Sequence, residues 1–498
     1  MDMSTVDWVG KWAIYRPGKL AVKEFESGRS WTYAELNTKA NTLLAYGQNH
    51  WGLNPGDRIA VMAQNCLEYF QLFSMAQKGG LTLVPLNYRL ATAELEYLLE
   101  DAQPSLLISE RAYFAKMEGV AKASGDIRHI YLEDLQNISL ADTTPDMAQP
   151  DPDDPIFILY TSGTTGVPKG VLYTHRMLFW NSVNTALSLI VNTDSRTVNC
   201  MPPFHTGGWN VLTTPFLHRG GYTCLLKKFD PERVLQAIEE EQTTIFMGVP
   251  TMLKMMADSP QFETVDTSQL LYMIVGGEAM SIPLIERWHE KGVPIRQGYG
   301  MTEVGPNLTS LHQDDAVRKA GSIGRANYYV QYRIVDAQGA NVPPGESGEL
   351  WLKGPNVTPG YWRKEDATRQ SKVDGWFRTG DLVREDDGGY LYVVDRIKNM
   401  FISGGENVYP AEVERVLLSH QSIVEAAVIG IPDEKWGEVG CAFLVLTSEI
   451  ELSHSEVINF CLSKLAKFKV PKYIKLLKEL PKNDTGKIDR KALKKTDL

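Results

Sequence analysis

Short apolar runs alternate with longer segments of helical period through the first three hundred residues. Residues 58–62, 81–85, 105–108, 156–160, 198–201, 222–226, 244–247 and 271–275 have the length and apolar character of buried strands. Between them, 66–78, 231–240, 250–257 and 283–290 carry a helical pattern. Pro231, Pro250 and Pro283 each stand where a first helical turn tolerates a missing amide proton. Such alternation predicts parallel sheets covered by helices.

The pattern changes over residues 320–394, where Gly, Pro and Asp punctuate short alternating runs at 332–335, 349–352 and 390–393. A small β subdomain is expected there. It changes again in the last hundred residues: 411–418 and 456–465 read as helices, 424–431 and 442–446 as strands, and lysines crowd the end. The predicted fold class is α/β. A large N-terminal domain of helix-covered parallel sheets with a β subdomain spans 1–397, and a small α+β C-terminal domain spans 398–498.

Length supports more than one core, since 498 residues exceed what a single core usually holds. The net charge of −10 argues against a duplex nucleic-acid binder. Five scattered cysteines, Cys66, Cys200, Cys224, Cys441 and Cys461, form no CxxC pair, so neither a disulfide framework nor a cysteine zinc site is expected. No apolar run approaches the roughly 18 residues of a membrane helix, and the first twelve residues do not read as a secretory signal. A cytoplasmic protein without a transmembrane segment is the expectation, with a homodimer left open.

The segment Tyr160-Thr161-Ser162-Gly163-Thr164-Thr165-Gly166-Val167-Pro168-Lys169-Gly170 follows the apolar run 156–160. Its glycines let amides turn inward, and its hydroxyls and Lys169 add donors, which together make an anion cradle. A Ser/Thr/Gly surface loop of the same composition is the plainer reading, but the length, the lysine and the preceding strand favour the cradle. It is not a Walker A loop, because GxxxxGK[ST] is absent.

TSGTTGVPKG resembles the signature loop of the adenylate-forming (ANL) superfamily, and specifically its acyl-CoA synthetases for fatty and aryl acids. The resemblance runs in order from Trp31-Thr32-Tyr33 to the terminal lysines. It implies an ATP-dependent carboxylic acid–CoA ligase using ATP, Mg2+ and coenzyme A, with a medium- to long-chain fatty acid as the leading substrate. An aryl acid of coumarate or benzoate type, or a stand-alone enzyme loading a carrier protein, are the alternatives.

The same resemblance implies roles residue by residue. Thr161, Ser162, Gly163, Thr164, Thr165 and Lys169 would cradle phosphates, and Gly277, Glu278, Ala279, Gln297, Gly298 and Tyr299 would border the adenine, with Tyr299 stacking on it. Thr302 would touch the α-phosphate, Glu303 would hold Mg2+, and Asp381 and Arg396 would bind the ribose. His205, Gly207, Trp209 and Gly277 would line the acyl group, with Gly208 leaving further space. Lys487 would serve adenylation, and Lys398 would be the hinge of a mobile C-terminal domain. Gly404 and Gly405 would pass the thiol arm, and Trp436, Phe468 and Lys472 would meet the CoA nucleotide. Val470 departs from relatives that carry arginine there. No aspartate matches the amino-acid-binding position of peptide-synthetase adenylation domains, which lowers an amino-acid substrate.

Overall fold

The computed structural model describes residues 7–123, 127–139, 144–161, 168–404, 406–447, 452–483 and 487–495. The chain forms two compact units, Met1–Tyr332 with Leu352–Phe377, and Arg333–Trp351 with Arg378–Leu498. Strands Ser347–Lys353 and Trp376–Glu385 each pass from one unit into the other.

Three sheets build the first unit. In the largest, Arg128–Tyr131, Leu106–Ser109, Arg58–Met62, Thr82–Pro85, Pro155–Thr161 and Lys169–Thr174 lie in that order. All neighbours are parallel except the last pair. In the second, Ile245–Gly248, Tyr272–Val275 and Ile295–Tyr299 are parallel, then Thr309–Leu311 and Arg325–Ala326 turn antiparallel. A third sheet orders Ser30–Thr32, Leu20–Glu24, Tyr222–Leu225 and Arg196–Asn199. The strand expected at 198–201 begins and ends two residues earlier. Asn199 is its last paired residue, its Oδ1 accepts from Met201 N–H at 3.0 Å, and the chain then turns into two prolines.

Helix Leu67–Gly79 shows why the apolar pattern there lacks a polar face: all 13 of its residues are buried. Its charged side chains and Gln71 are paired accordingly. Glu68 meets Arg29 at 2.8 Å, Lys78 meets Asp7 and Asn37, and the Gln71 amide donates to the Lys39 carbonyl at 3.0 Å. Gly80 ends the helix in the left-handed region at φ 62°. Asp230 caps Pro231–Glu240 by accepting from Arg233 N–H. Among the described residues no helix is long and apolar enough to cross a membrane.

The second unit holds a sheet with Glu406–Val408, Phe401–Ser403, Gly437–Leu446 and Ile423–Asp433 in order, and Tyr473–Leu476 beside Gly437–Leu446. Helices Pro410–Leu418 and His454–Leu462 accompany it. The hairpin exceeds the expected strands, pairing from Ile423↔Leu446 to Asp433↔Gly437. Gly430 and Gly440 interrupt the apolar pattern yet stay in register. They make room for Phe401, whose Cβ would lie 2.4 Å from a Cβ built on Gly430.

Candidate active site

Parallel strands of the first unit deliver their carboxyl ends to the motifs, the usual place for a ligand crevice in such sheets. Pro155–Thr161 leads into the anion loop, and its antiparallel partner begins at Lys169, which lies opposite Thr161. The two ends of the loop are thus fixed side by side. Ser162, Gly163, Thr164 and Thr165 lie outside the described residues.

Tyr272–Val275 leads into Gly276, Gly277, Glu278 and Ala279, of which the last three are exposed. Gly277 has φ 90°, a conformation costly for other residues. Gln297 is buried and accepts from Met280 N–H at 3.4 Å, holding this turn against the next strand. That strand, Ile295–Tyr299, pairs Gly298 with Ser310 and Tyr299 with Thr309. A Cβ on Gly300 would fall 2.1 Å from the Pro306 carbonyl oxygen, so only glycine permits this turn. Thr302 and Glu303 follow in a 3-10 turn, Thr302 half-buried and Glu303 buried.

A strap not anticipated from the sequence crosses both motifs. Asn356 donates to the Val304 carbonyl at 2.5 Å, and Thr358 N–H to the Glu303 carbonyl at 2.7 Å. Leu172 N–H then donates to Gly360, and Trp362 N–H to Gly170. Tyr361, which bridges Val171, donates its hydroxyl to Glu303 Oε1 at 3.2 Å, and Lys169 Nζ lies 5.2 Å from the Tyr361 ring centroid. Burial, and then the Glu303 charge, push the Tyr361 phenol well up. Asp101 accepts from the Tyr160 hydroxyl at 2.7 Å and pairs with Lys364 at 2.9 Å, anchoring the end of the strap. The available signal was the aromatic pair Tyr361-Trp362 set behind glycine inside a polar stretch.

Among the described residues there is no group of three or more His, Cys, Asp or Glu that could hold a metal ion. A single carboxylate such as Glu303 instead fits Mg2+, which takes one or two carboxylates and completes its octahedron with substrate phosphates and water.

His205 is half-buried at the start of the short helix Thr206–Trp209, its ring 4.5 Å from that of Phe204. Trp209 is buried: its indole N–H donates to the Pro203 carbonyl at 2.9 Å, and it packs on Tyr69, Phe70, Phe73 and Phe157. Gly208 opens no space, since a Cβ there would meet the Pro202 carbonyl oxygen at 2.4 Å. A Cβ on Gly207 would meet only the Met201 and Met247 methyls, at van der Waals distance, and Gly207 shares the second of these neighbours with Gly276. Cβ atoms built on the two would lie 3.9 and 4.0 Å from the Met247 methyl.

In the second unit, Asp381 is buried and pairs in register with Arg396, whose Nε lies 2.9 Å from Asp381 Oδ1. Lys398 is exposed on the turn Ile397–Asn399. Gly404 has φ 61° and donates to the Trp436 carbonyl at 2.9 Å, while Gly405 lies outside the described residues. Trp436 and Phe468 are exposed. Asp433 accepts from Trp436 N–H at 3.0 Å and from Lys472 Nζ at 2.5 Å. That pairing, first among the causes, holds the Asp433 carboxyl below and the Lys472 ammonium above their ordinary ranges. Val470 packs on the core of this unit. Lys487 is exposed; its carbonyl accepts from Asn483 N–H at 2.8 Å and its N–H donates to Asn483 Oδ1 at 3.1 Å.

The AMP-binding enzyme family model matches residues 10–362, and that of the AMP-binding enzyme C-terminal domain matches 412–487. A feruloyl-CoA synthase of Amycolatopsis sp is 37% identical over 484 residues, covering 96% of this chain and 97% of that protein. The long-chain-fatty-acid–CoA ligase FadD13 of Mycobacterium tuberculosis is 36% identical over 500 residues, covering 99% and 98%. The o-succinylbenzoate CoA synthetase of Bacillus subtilis, solved with its acyl-adenylate, is 32% identical with a TM-score of 0.88, covering 99% of this chain and 98% of that one. A match this long makes the chain a member of the adenylate-forming AMP-binding enzymes, in their acyl-CoA synthetase family.

Proposed function

We propose that this ligase activates a flat or unbranched apolar carboxylic acid, a medium- to long-chain fatty acid or an aryl acid, and transfers it to CoA. One observation carries the choice of acid: the Met247 methyl lies within van der Waals reach of the Cβ positions of both Gly207 and Gly276, an adaptable apolar neighbour shared by two positions without side chains. A narrow slot beside it would admit a ring edge-on or a methylene chain. Relatives named for feruloyl and long-chain fatty acyl groups support the two forms about equally.

In the first half-reaction a carboxylate oxygen attacks the ATP α-phosphorus and pyrophosphate leaves. In the second the CoA thiol attacks the acyl carbonyl, its proton is released and AMP leaves. Thr161, Lys169 and the loop between them would hold the phosphates, and Tyr299 the adenine. Thr302 would take the α-phosphate, Asp381 and Arg396 the ribose. Glu303 would hold Mg2+, which when bound neutralises phosphate charge. His205 would face the acid carboxylate. Lys487 would offset the two anions that meet during adenylation. Lys398 would be the hinge between an N-terminal domain ending at 397 and the domain from 398. Gly404, Trp436, Phe468 and Lys472 would receive CoA. The five cysteines are all free and buried, which supports a reducing, cytoplasmic setting.

The test is AMP release with CoA over acids from acetate to palmitate, with benzoate and coumarate. Rising kcat/KM along the chain series, or a maximum at a ring acid, is the expected result. Preference for acetate or an amino acid defeats the proposal. AMP release that needs a carrier protein in place of CoA would instead favour the carrier-loading alternative.

A further inference from the structure

Tyr361 lies between two groups that the proposed function uses. Its ring is beneath Lys169 Nζ, 5.2 Å from the centroid and within the range of a cation–π contact, and its hydroxyl donates to Glu303 Oε1 at 3.2 Å. The backbone that carries the ring is held on both sides. Tyr361 bridges Val171, Leu172 N–H donates to Gly360, and Trp362 N–H donates to Gly170 at 2.7 Å. Gly170 permits this approach, since a Cβ there would fall 2.6 Å from Ile158 Cγ2 and 3.4 Å from Trp362 Cβ. The other end of the strap is fixed to Glu303 itself through Thr358.

The chemistry of the donor matters. A lysine or arginine on Glu303 would cancel the negative charge that attracts a cation. A phenol fixes one carboxylate oxygen and leaves the charge in place, the arrangement that outer partners of metal-binding carboxylates use. A phenylalanine would support Lys169 equally well, so packing alone does not account for the hydroxyl.

We propose that Tyr361 is a positioning residue that holds Lys169 and Glu303 in mutual register, and so sets how strongly Mg2+ tightens ATP binding. The inference rests on the reading in which these two residues face Mg·ATP.

The experiment is calorimetric titration of ATP into the full-length protein, once with Mg2+ and once with EDTA, the ratio of the two affinities being the metal-dependent gain. Tyr361→Phe keeps the ring and removes the donor. It should leave metal-free ATP affinity within about twofold and reduce the gain about tenfold, the lower end for outer-sphere partners. Tyr361→Leu, which also removes the ring beneath Lys169, should weaken metal-free binding as well. A wild-type gain in Tyr361→Phe overturns the proposal, whatever its melting temperature. Glu303→Gln separates the two assignments. If it too keeps the full gain, the Glu303 assignment has failed; if it loses the gain while Tyr361→Phe does not, only the role of Tyr361 has failed.

Discussion

Gly404 and Trp436 are fitted to each other: a Cβ on Gly404 would meet the indole ring at 2.8 Å, while the Gly404 amide donates to the Trp436 carbonyl. Gly404→Ala therefore displaces an exposed aromatic face and strains a backbone at φ 61°. If Trp436 stacks on the CoA adenine, the lost stacking should raise KM for CoA about tenfold. Acid-dependent pyrophosphate exchange, which needs no CoA, should be unchanged. Steady-state CoA titrations beside exchange assays check this, and an equal loss in both would remove Trp436 from the CoA site.

Gly276→Ala tests the proposed acyl slot. The new methyl would lie 3.6 Å from the Gly298 carbonyl oxygen and 4.0 Å from the Met247 methyl, so it fits without collision and would narrow such a slot. The expected result is an unchanged melting temperature. For ring acids kcat/KM should fall about tenfold, with less effect on straight chains, since one methyl-sized change in an apolar pocket shifts specificity by about 1–3 kcal/mol. Equal kinetics for every acid would place the acyl group elsewhere.

Most strands of the first unit are legible in the sequence because a strand buried on both faces is a continuous apolar run, as in Arg58–Met62 and Tyr272–Val275. The strap at 356–362 is not. Its contacts are single backbone and side-chain hydrogen bonds from a Gly/Pro-rich stretch, which leaves no periodicity to read. Trp209 is hard to read for the opposite reason. Beside two glycines it suggests a gate, and its packing on the distant Phe73 and Phe157 leaves no local pattern in the sequence. The hairpin strand Gly437–Leu446 looks shorter in the sequence than in the fold, because Gly440 in a ladder resembles a turn unless the facing Phe401 is known.

Acid should destabilise the first unit through two buried histidines. Burial lowers His175 to about 4 and, with the Arg219 charge as a lesser cause, His218 to about 3. Both are neutral in the folded state, and an unfolded histidine titrates near 6.5. As pH falls below that value the unfolded chain binds protons that the folded chain refuses, so stability present above pH 6.5 is lost toward pH 4. By pH 5 the loss is about 2 kcal/mol for each. His175→Gln should flatten part of the fall in melting temperature between pH 7 and 5. A profile identical to wild type would show that this group does not carry the effect.

Lys487 and Lys398 separate the two half-reactions. Lys487 is exposed in the second unit, with its backbone tied to Asn483, so truncating its side chain leaves those backbone hydrogen bonds in place. Only in adenylation does an anionic carboxylate attack an anionic phosphate. Lys487→Ala should therefore lower acid-dependent pyrophosphate exchange by about 10²-fold, the scale of one lost transition-state donor. Thioester formation from synthetic acyl-AMP should fall far less. Lys398 sits on the turn Ile397–Asn399, directly after the ribose candidate Arg396 and its strand. Proline there fixes φ and restrains rotation of the C-terminal segment, so Lys398→Pro should keep pyrophosphate exchange and lose thioester formation. Exchange and single-turnover acyl-AMP assays on both variants give a two-by-two pattern with opposite corners depressed. Equal loss in all four measurements would defeat an alternating C-terminal domain while leaving the ligase assignment intact, because the assignment rests on the first unit and on relatives that span the whole chain.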